Sequence, residues 1–196
     1  MRNLFALVVL GILGIATAVR GDVNPNFDSW TGNDTTTNWN YTINVTAGQE
    51  IISGDYFTIY DFGNFIPGSN FQPAGWTFAS GLTGATPTGI NTSIDNPGLV
   101  NLTWTYSGVT IPTETFGIGL FGVAINGAQN TQARNSFFAG WGTRVAGDQA
   151  GTNIANAGSI IVSAQAVPEP PTMALIVATG GLAVVGRAFF ARFRRS

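Results

Sequence analysis

Two short stretches of this 196-residue chain alternate strictly between apolar and polar side chains. In 39–45 the apolar Trp39, Tyr41, Ile43 and Val45 are separated by Asn40, Thr42 and Asn44; in 100–106 Val100, Leu102, Trp104 and Tyr106 are separated by Asn101, Thr103 and Thr105. A period of two sends one set of side chains to one face of a sheet and the other set to the opposite face, which predicts half-buried strands. Gly48 closes the first stretch and Ser107-Gly108 turns the chain after the second. Further strands are expected over 56–62, 75–79, 116–125, 136–141 and 159–166, with no 3.6-residue pattern between them. Short strands punctuated by turns predict an all-β body, an antiparallel β-sandwich or jelly-roll-like fold. The Gly117, Gly119 and Gly122 series reads as a bulged or closely packed strand.

Composition then narrows the chemistry. The chain has no His, no Cys and no Lys. That removes a Ser/His/Asp triad, a thiol nucleophile, a His general base, a thiolate or imidazole metal site and a lysine Schiff base. Disulfides are impossible. The net charge is −2 and no basic patch exists to meet phosphates, so nucleic acid is not an expected partner.

The eight bases are all arginine, and five of them sit at the extremes: Arg2, Arg187, Arg192, Arg194 and Arg195. After Arg2 an apolar run covers 4–15 and ends in Ala16-Thr17-Ala18. A basic start, a short apolar run and an A-x-A-like end predict a signal peptide over 1–18, cleaved after Ala18 by signal peptidase following Sec export. A membrane anchor would call for a longer run. The exported part, 19–166, carries nine acids against three arginines, a net −6. Its abundant aromatics set it apart from a disordered chain.

The other end begins Val167-Pro168-Glu169-Pro170-Pro171 and continues as an uncharged stretch over 172–186 before the arginines. At about 1.5 Å per residue that stretch reaches roughly 22 Å, and it spans a bilayer as one transmembrane helix if Arg187 snorkels and the next four residues extend it. The positive-inside preference keeps the arginine cluster cytoplasmic and the body outside.

Pro168, Glu169 and Pro170, then a short apolar helix, then Arg187, Arg192, Arg194 and Arg195 at the C-terminus resemble the PEP-CTERM sorting signal of Gram-negative, exopolysaccharide-producing bacteria. The resemblance covers 167–196. It implies recognition by an exosortase, a membrane-embedded cysteine transpeptidase, with cleavage near Pro-Glu-Pro and delivery of the body to the cell surface or extracellular matrix. A permanent single-pass anchor with a proline-rich stalk is the competing reading. A GPI signal would end in an apolar tail, which Arg-Phe-Arg-Arg-Ser is not. The segment 55–63, with its Phe-Thr-Ile-Tyr-Asp-Phe core, also resembles a stretch that recurs in the bodies of this family; no chemistry attaches to it, and packing in a strand accounts for it.

Within the body, Asp55 and Asp61, with Glu50 nearby, are the candidate carboxylate pair for glycoside hydrolysis. On one regular strand they would share a face about 20 Å apart, beyond the roughly 5–10 Å such a pair needs. Asp22, Asp28 and Asp34 with Asn24, Asn26 and Asn33 offer oxygen ligands to calcium, yet their spacing matches no EF-hand loop. Solvated loop residues explain them more simply. The sequons at Asn33, Asn40, Asn44, Asn91 and Asn101 and the Thr35-Thr36-Thr37 run reflect an Asn/Thr-rich composition. Among the five tryptophans, Trp39 and Trp104 alternate inward as core; Trp30 and Trp141, flanked by small or polar residues, are the candidates for stacking on sugar rings.

The expectation is thus a non-enzymatic exported protein without cofactor or metal. It has a signal peptide at 1–18, a β-sandwich domain at 19–166 and a sorting segment at 167–196, and it works as a structural or adhesive component of an exopolysaccharide or biofilm matrix. The alternative is a carbohydrate-binding module, or a weak glycan-active enzyme, of the same matrix.

Overall fold

The computed structural model describes residues 23–91, 95–127, 133–145 and 149–164. The chain divides between Ala164 and Gln165, so the described residues all belong to the body. Ala16 and Ala18, the Pro168-Glu169-Pro170 motif, the expected transmembrane helix and the four C-terminal arginines lie outside them.

The body is all-β. Among the described residues the strands are β1 (Val23–Gly32), β2 (Thr36–Val45), β3 (Gln49–Glu50), β4 (Tyr56–Phe62), β5 (Trp76–Gly81), β6 (Val100–Tyr106), β7 (Ile118–Asn126), β8 (Ala133–Arg144) and β9 (Asn153–Ser163), with no helix. Every pairing is antiparallel. One sheet has the order β1-β2-β7. In the other, β8 carries β9 along one edge and both β3 and β4 along the opposite edge, followed outward by β6 and β5. β3 pairs Glu50 with Thr143, and β4 resumes the ladder at Tyr56 with Trp141. Residues 51–55 are therefore expelled from the edge of β8, and Ile51 bridges instead to Ile111.

The two sheets share one core. Trp39, Tyr41, Ile43 and Val45 of β2 are fully buried, as the alternation predicts, against Phe57, Ile59, Leu102 and Trp104 of the larger sheet. Each such side chain contributes about 1.5–3 kcal/mol on leaving water. Phe57 stacks on Trp104 at 5.1 Å, and Phe121 of β7 meets Phe57 edge-on at 5.2 Å. The hydroxyl of buried Tyr41 donates to the Ile161 carbonyl at 2.9 Å, tying β2 to β9. Burial pushes that phenol well above its ordinary range, so it stays a donor.

The glycines of β7 serve close packing. Gly119 has φ 59° and lies against Pro73, and a Cβ on Gly122 would approach the Trp39 carbonyl to 2.6 Å. The β2–β7 register shifts between Tyr41 and Ile43, opposite this series, so the strand is bulged as well.

β6 departs from expectation. Its polar face is not solvated: Asn101 is fully buried and Thr103 nearly so. The cover is segment 82–90, which crosses the outer face of β4 and β6. Thr58 donates to the Ala85 carbonyl at 2.7 Å, the Tyr60 hydroxyl reaches that carbonyl at 3.1 Å and the Thr86 hydroxyl at 2.8 Å, and Asn101 donates to Leu82 O at 3.3 Å. Beneath it Tyr60 stacks on Phe137 at 4.2 Å, with Ile90 packed alongside, as a second small core.

Candidate functional site

Because segment 82–90 covers only part of the outer face of the larger sheet, the rest is left open among the described residues. The cross-strand registers align one row of residues there: Thr77 of β5, Thr105 of β6, Tyr56 of β4, Trp141 of β8 and Ala155 of β9. Four interstrand steps of about 4.8 Å make this row about 19 Å long. At its centre the Tyr56 and Trp141 rings are near-parallel, 16° between planes and 6.3 Å between centroids. Both are half-buried, and their outer register partners are small, Thr105 beside Tyr56 and Ala155 beside Trp141. Among the described residues neither the Tyr56 hydroxyl nor the Trp141 indole N–H donates a hydrogen bond, and neither atom is sealed from solvent.

Trp30, the second candidate for sugar stacking, does not join this row. It lies on β1, half-buried, with its ring 4.8 Å from Phe27 and edge-on to Trp39 at 5.6 Å. Its indole nitrogen is buried without a partner. Both of its sides are taken by the rim of the core, so it offers no platform. The register shift between Phe27 and Ser29 in the β1–β2 ladder turns Trp30 toward Phe27, a bulge that nothing in the local sequence announces.

Next to Trp141, Thr143 and Asn153 form the following cross-strand pair. The buried Asp55 carboxylate, at the end of the expelled segment, accepts from Thr143 Oγ1 at 3.1 and 3.2 Å, from Ile52 N–H at 2.9 Å and from Asn153 Nδ2 at 3.4 Å. Burial raises the affinity of this carboxyl for its proton, the Ile52 and Thr143 donors oppose that, and the Glu50 charge adds to it. Asp55 is thus a structural acceptor that holds the 51–55 excursion against β8.

Asp61 lies at the far end of β4 with φ 57° and a different set of partners. Its carboxylate accepts from Asn96 N–H at 2.8 Å, its own N–H donates to Asn101 Oδ1 at 2.9 Å, and Arg134 donates to its carbonyl. Asn101 Nδ2 also donates to both oxygens of Asp95, at 3.2 and 3.1 Å. Burial raises the Asp95 carboxyl above its ordinary value; a hydrogen bond with Asp61 and the Asp61 charge raise it further, while Asn101 lowers it. The acid that Asp61 meets is therefore Asp95 rather than Asp55. Their separation in sequence left that pairing invisible. Together with Asn101, these side chains fasten residues 95 and 96 to β4 and β6.

The oxygen-rich stretch near the N-terminal side of the body is distributed in the same structural way. Asn24 and Asn26 belong to β1, and Asn26 donates to Asn24 O at 2.9 Å. Asn33 Oδ1 accepts from the N–H groups of Thr35 and Thr36 at 2.9 and 3.0 Å, making the β1–β2 turn. Asp28 and Asp34 are exposed, and Asp22 lies outside the described residues.

Comparison with family models, with curated proteins and with solved structures finds no match to this chain. The row on the outer face, and the sequence of the two ends, are therefore the observations on which a function rests.

Proposed function

We propose that this chain is an exported, non-enzymatic protein whose 19–166 body is a jelly-roll-like β-sandwich, delivered to the surface or extracellular matrix of a Gram-negative bacterium by its PEP-CTERM-like tail. The observation that carries this is the pair of terminal segments: a signal-peptide pattern ending at Ala18, and Pro168-Glu169-Pro170, an apolar stretch and Arg187, Arg192, Arg194 and Arg195 in that order. A body without His, Cys or Lys, whose Asp55, Asp61 and Asp95 carboxyls are engaged by structural donors, supports a role in building or adhering rather than in catalysis. In this reading an exosortase processes the tail after Sec export, and the inner membrane holds the chain only transiently.

Deleting 167–196 and fractionating the cells tests it. The truncated body is expected to shift out of the surface fraction, and the intact mass of the mature protein is expected to lack both 1–18 and the arginine tail. A mature mass that retains the arginines identifies a permanent anchor instead. A second reading, glycan binding by the body, is favoured by the half-buried Tyr56–Trp141 pair on the outer face.

A further inference from the structure

We propose that the open row Thr77–Thr105–Tyr56–Trp141–Ala155 is a binding site for a neutral polysaccharide, with the Tyr56 and Trp141 rings as its stacking floor. The proposal rests on the matrix reading above for its setting, and on the geometry of the outer face for its chemistry.

Three features of the face select this ligand. First, the row joins two half-buried aromatic rings, near-parallel to one another, to two threonines along one line across five strands; Thr77 Oγ1 donates to the Thr105 carbonyl at 3.2 Å and keeps its lone pairs to accept. A pyranose ring has the same division, a C–H face that stacks on an aromatic and an equatorial rim of hydroxyls. A row about 19 Å long holds several such rings end to end. Second, the rings are held in place before any ligand arrives: they are register partners on adjacent central strands, with the β8–β9 ladder on one side and the β4–β6 ladder on the other. A preformed platform loses little side-chain freedom on binding.

The third feature is charge. The row contains no charged residue, and the exported part carries −6 overall. Among the described residues the cations are Arg134 and Arg144, and neither is in the row; Arg134 donates to the Asp61 carbonyl and Arg144 to Gln149 Oε1. The neighbouring Asp55 carboxylate is enclosed by its donors and adds only negative potential. A uronic-acid polymer would find no counter-charge within the row and a net negative body around it, whereas a neutral glycan meets no such penalty. An anionic lipid surface is disfavoured on the same grounds.

The test uses the purified full-length chain in a sugar-free detergent, titrated by calorimetry and tryptophan fluorescence with three neutral hexasaccharides, a β-1,4-glucan, a β-1,3-glucan and an α-mannan, and with a hexagalacturonate. Saturable binding of at least one neutral hexamer is expected, with the hexagalacturonate binding more weakly. Tyr56→Ala and Trp141→Ala are each expected to weaken it by about tenfold or more, and Trp141→Phe to retain most of it. Ala155→Arg removes nothing from the core and lays a long side chain over the Trp141 ring, so it is expected to abolish binding with the melting temperature unchanged. The proposal is overturned by no saturable binding to any neutral hexamer, by tighter binding of the hexagalacturonate, or by affinity that survives both Trp141→Ala and Ala155→Arg. None of these outcomes touches the sorting reading, which stands or falls on cell fractionation and mature mass.

Discussion

Among the described residues Asp55 is a buried carboxylate that no cation reaches, and its partners there are two side chains and one backbone amide. Such an arrangement is sensitive to the loss of any donor, since a buried acceptor without its partner keeps the cost of leaving water. Thr143→Val, which preserves shape but removes the hydroxyl, is expected to destabilise the body by about 1–3 kcal/mol in a urea titration. A variant within error of the parent would mean that water replaces the hydroxyl at no cost. Individual residues of this kind were unevenly legible. Trp39 and Trp104 declared themselves as core through their alternating neighbours, while the small neighbours of Trp141 are consistent with its half-buried place on the outer face. Tyr56 did not, because a tyrosine opening an aromatic strand reads as packing; only the register that sets it beside Trp141 turns it outward into a pair. Trp30 looked free for the same local reason as Trp141, and a bulge two residues away set it against Phe27.

β4 has two working faces. Phe57 and Ile59 supply the core, while Thr58 and Tyr60 hold segment 82–90 through the Ala85 carbonyl and the Thr86 hydroxyl. Tyr60→Phe keeps the ring stacked on Phe137 and deletes the phenol that meets Ala85 and Thr86. It is expected to cost about 1 kcal/mol and to speed limited proteolysis within 82–90, with little change elsewhere; cleavage unchanged in rate would show that the Thr58 and Asn101 bonds and the packing of Ile90 retain the segment without the phenol. The alternation in 39–45 and 100–106 located β2 and β6 correctly, since apolar side chains at every second position have few other stable uses. β1 was missed because Pro25 and the asparagines around it look like a loop, yet Pro25 sits on an edge strand where its missing N–H costs nothing. β9 begins six residues before the expected start because Ala155, Ala157 and Gly158 carry too little apolar surface to show a period. The cover over β4 and β6 was not legible at all. A segment without regular structure leaves no pattern to read, and its hold on the sheet depends on side chains up to 27 positions away.

For the molecule as a whole, the titratable groups give a direction of pH dependence. Asp55 and Asp95 both bind their protons more tightly in the folded body than the ordinary carboxyl value of 3.8. Over that range the folded state holds more protons than the unfolded chain, so this contribution to stability is fully present below the ordinary value and is lost as pH rises through the raised values. The thermal midpoint of the full-length protein is therefore expected to be higher at about pH 4 than at about pH 7. Asp95→Asn, whose amide donates to Asp61 as the protonated acid would, should flatten the slope; a midpoint that climbs with pH in the parent protein would contradict the assignment.

The seam between the first and last strands carries a temporal meaning. Asn156 on β9 donates to the Val23 carbonyl at 3.2 Å and to Asn24 Oδ1 at 3.1 Å on β1, 133 and 132 positions away. Tyr41 adds its bond to Ile161 across 120 positions. Contacts of this reach form late, because the whole intervening chain must be ordered before they can close. A chain emerging N-terminus first can pair β1 with β2, and β2 with β7 once that strand appears, but the seam to β9 closes only when synthesis has passed Ser163, one residue short of Ala164. Closure of the body is thus a record that synthesis has run to the threshold of the C-terminal segment, and a prematurely terminated chain exposes an unsealed core to whatever proteases share its compartment.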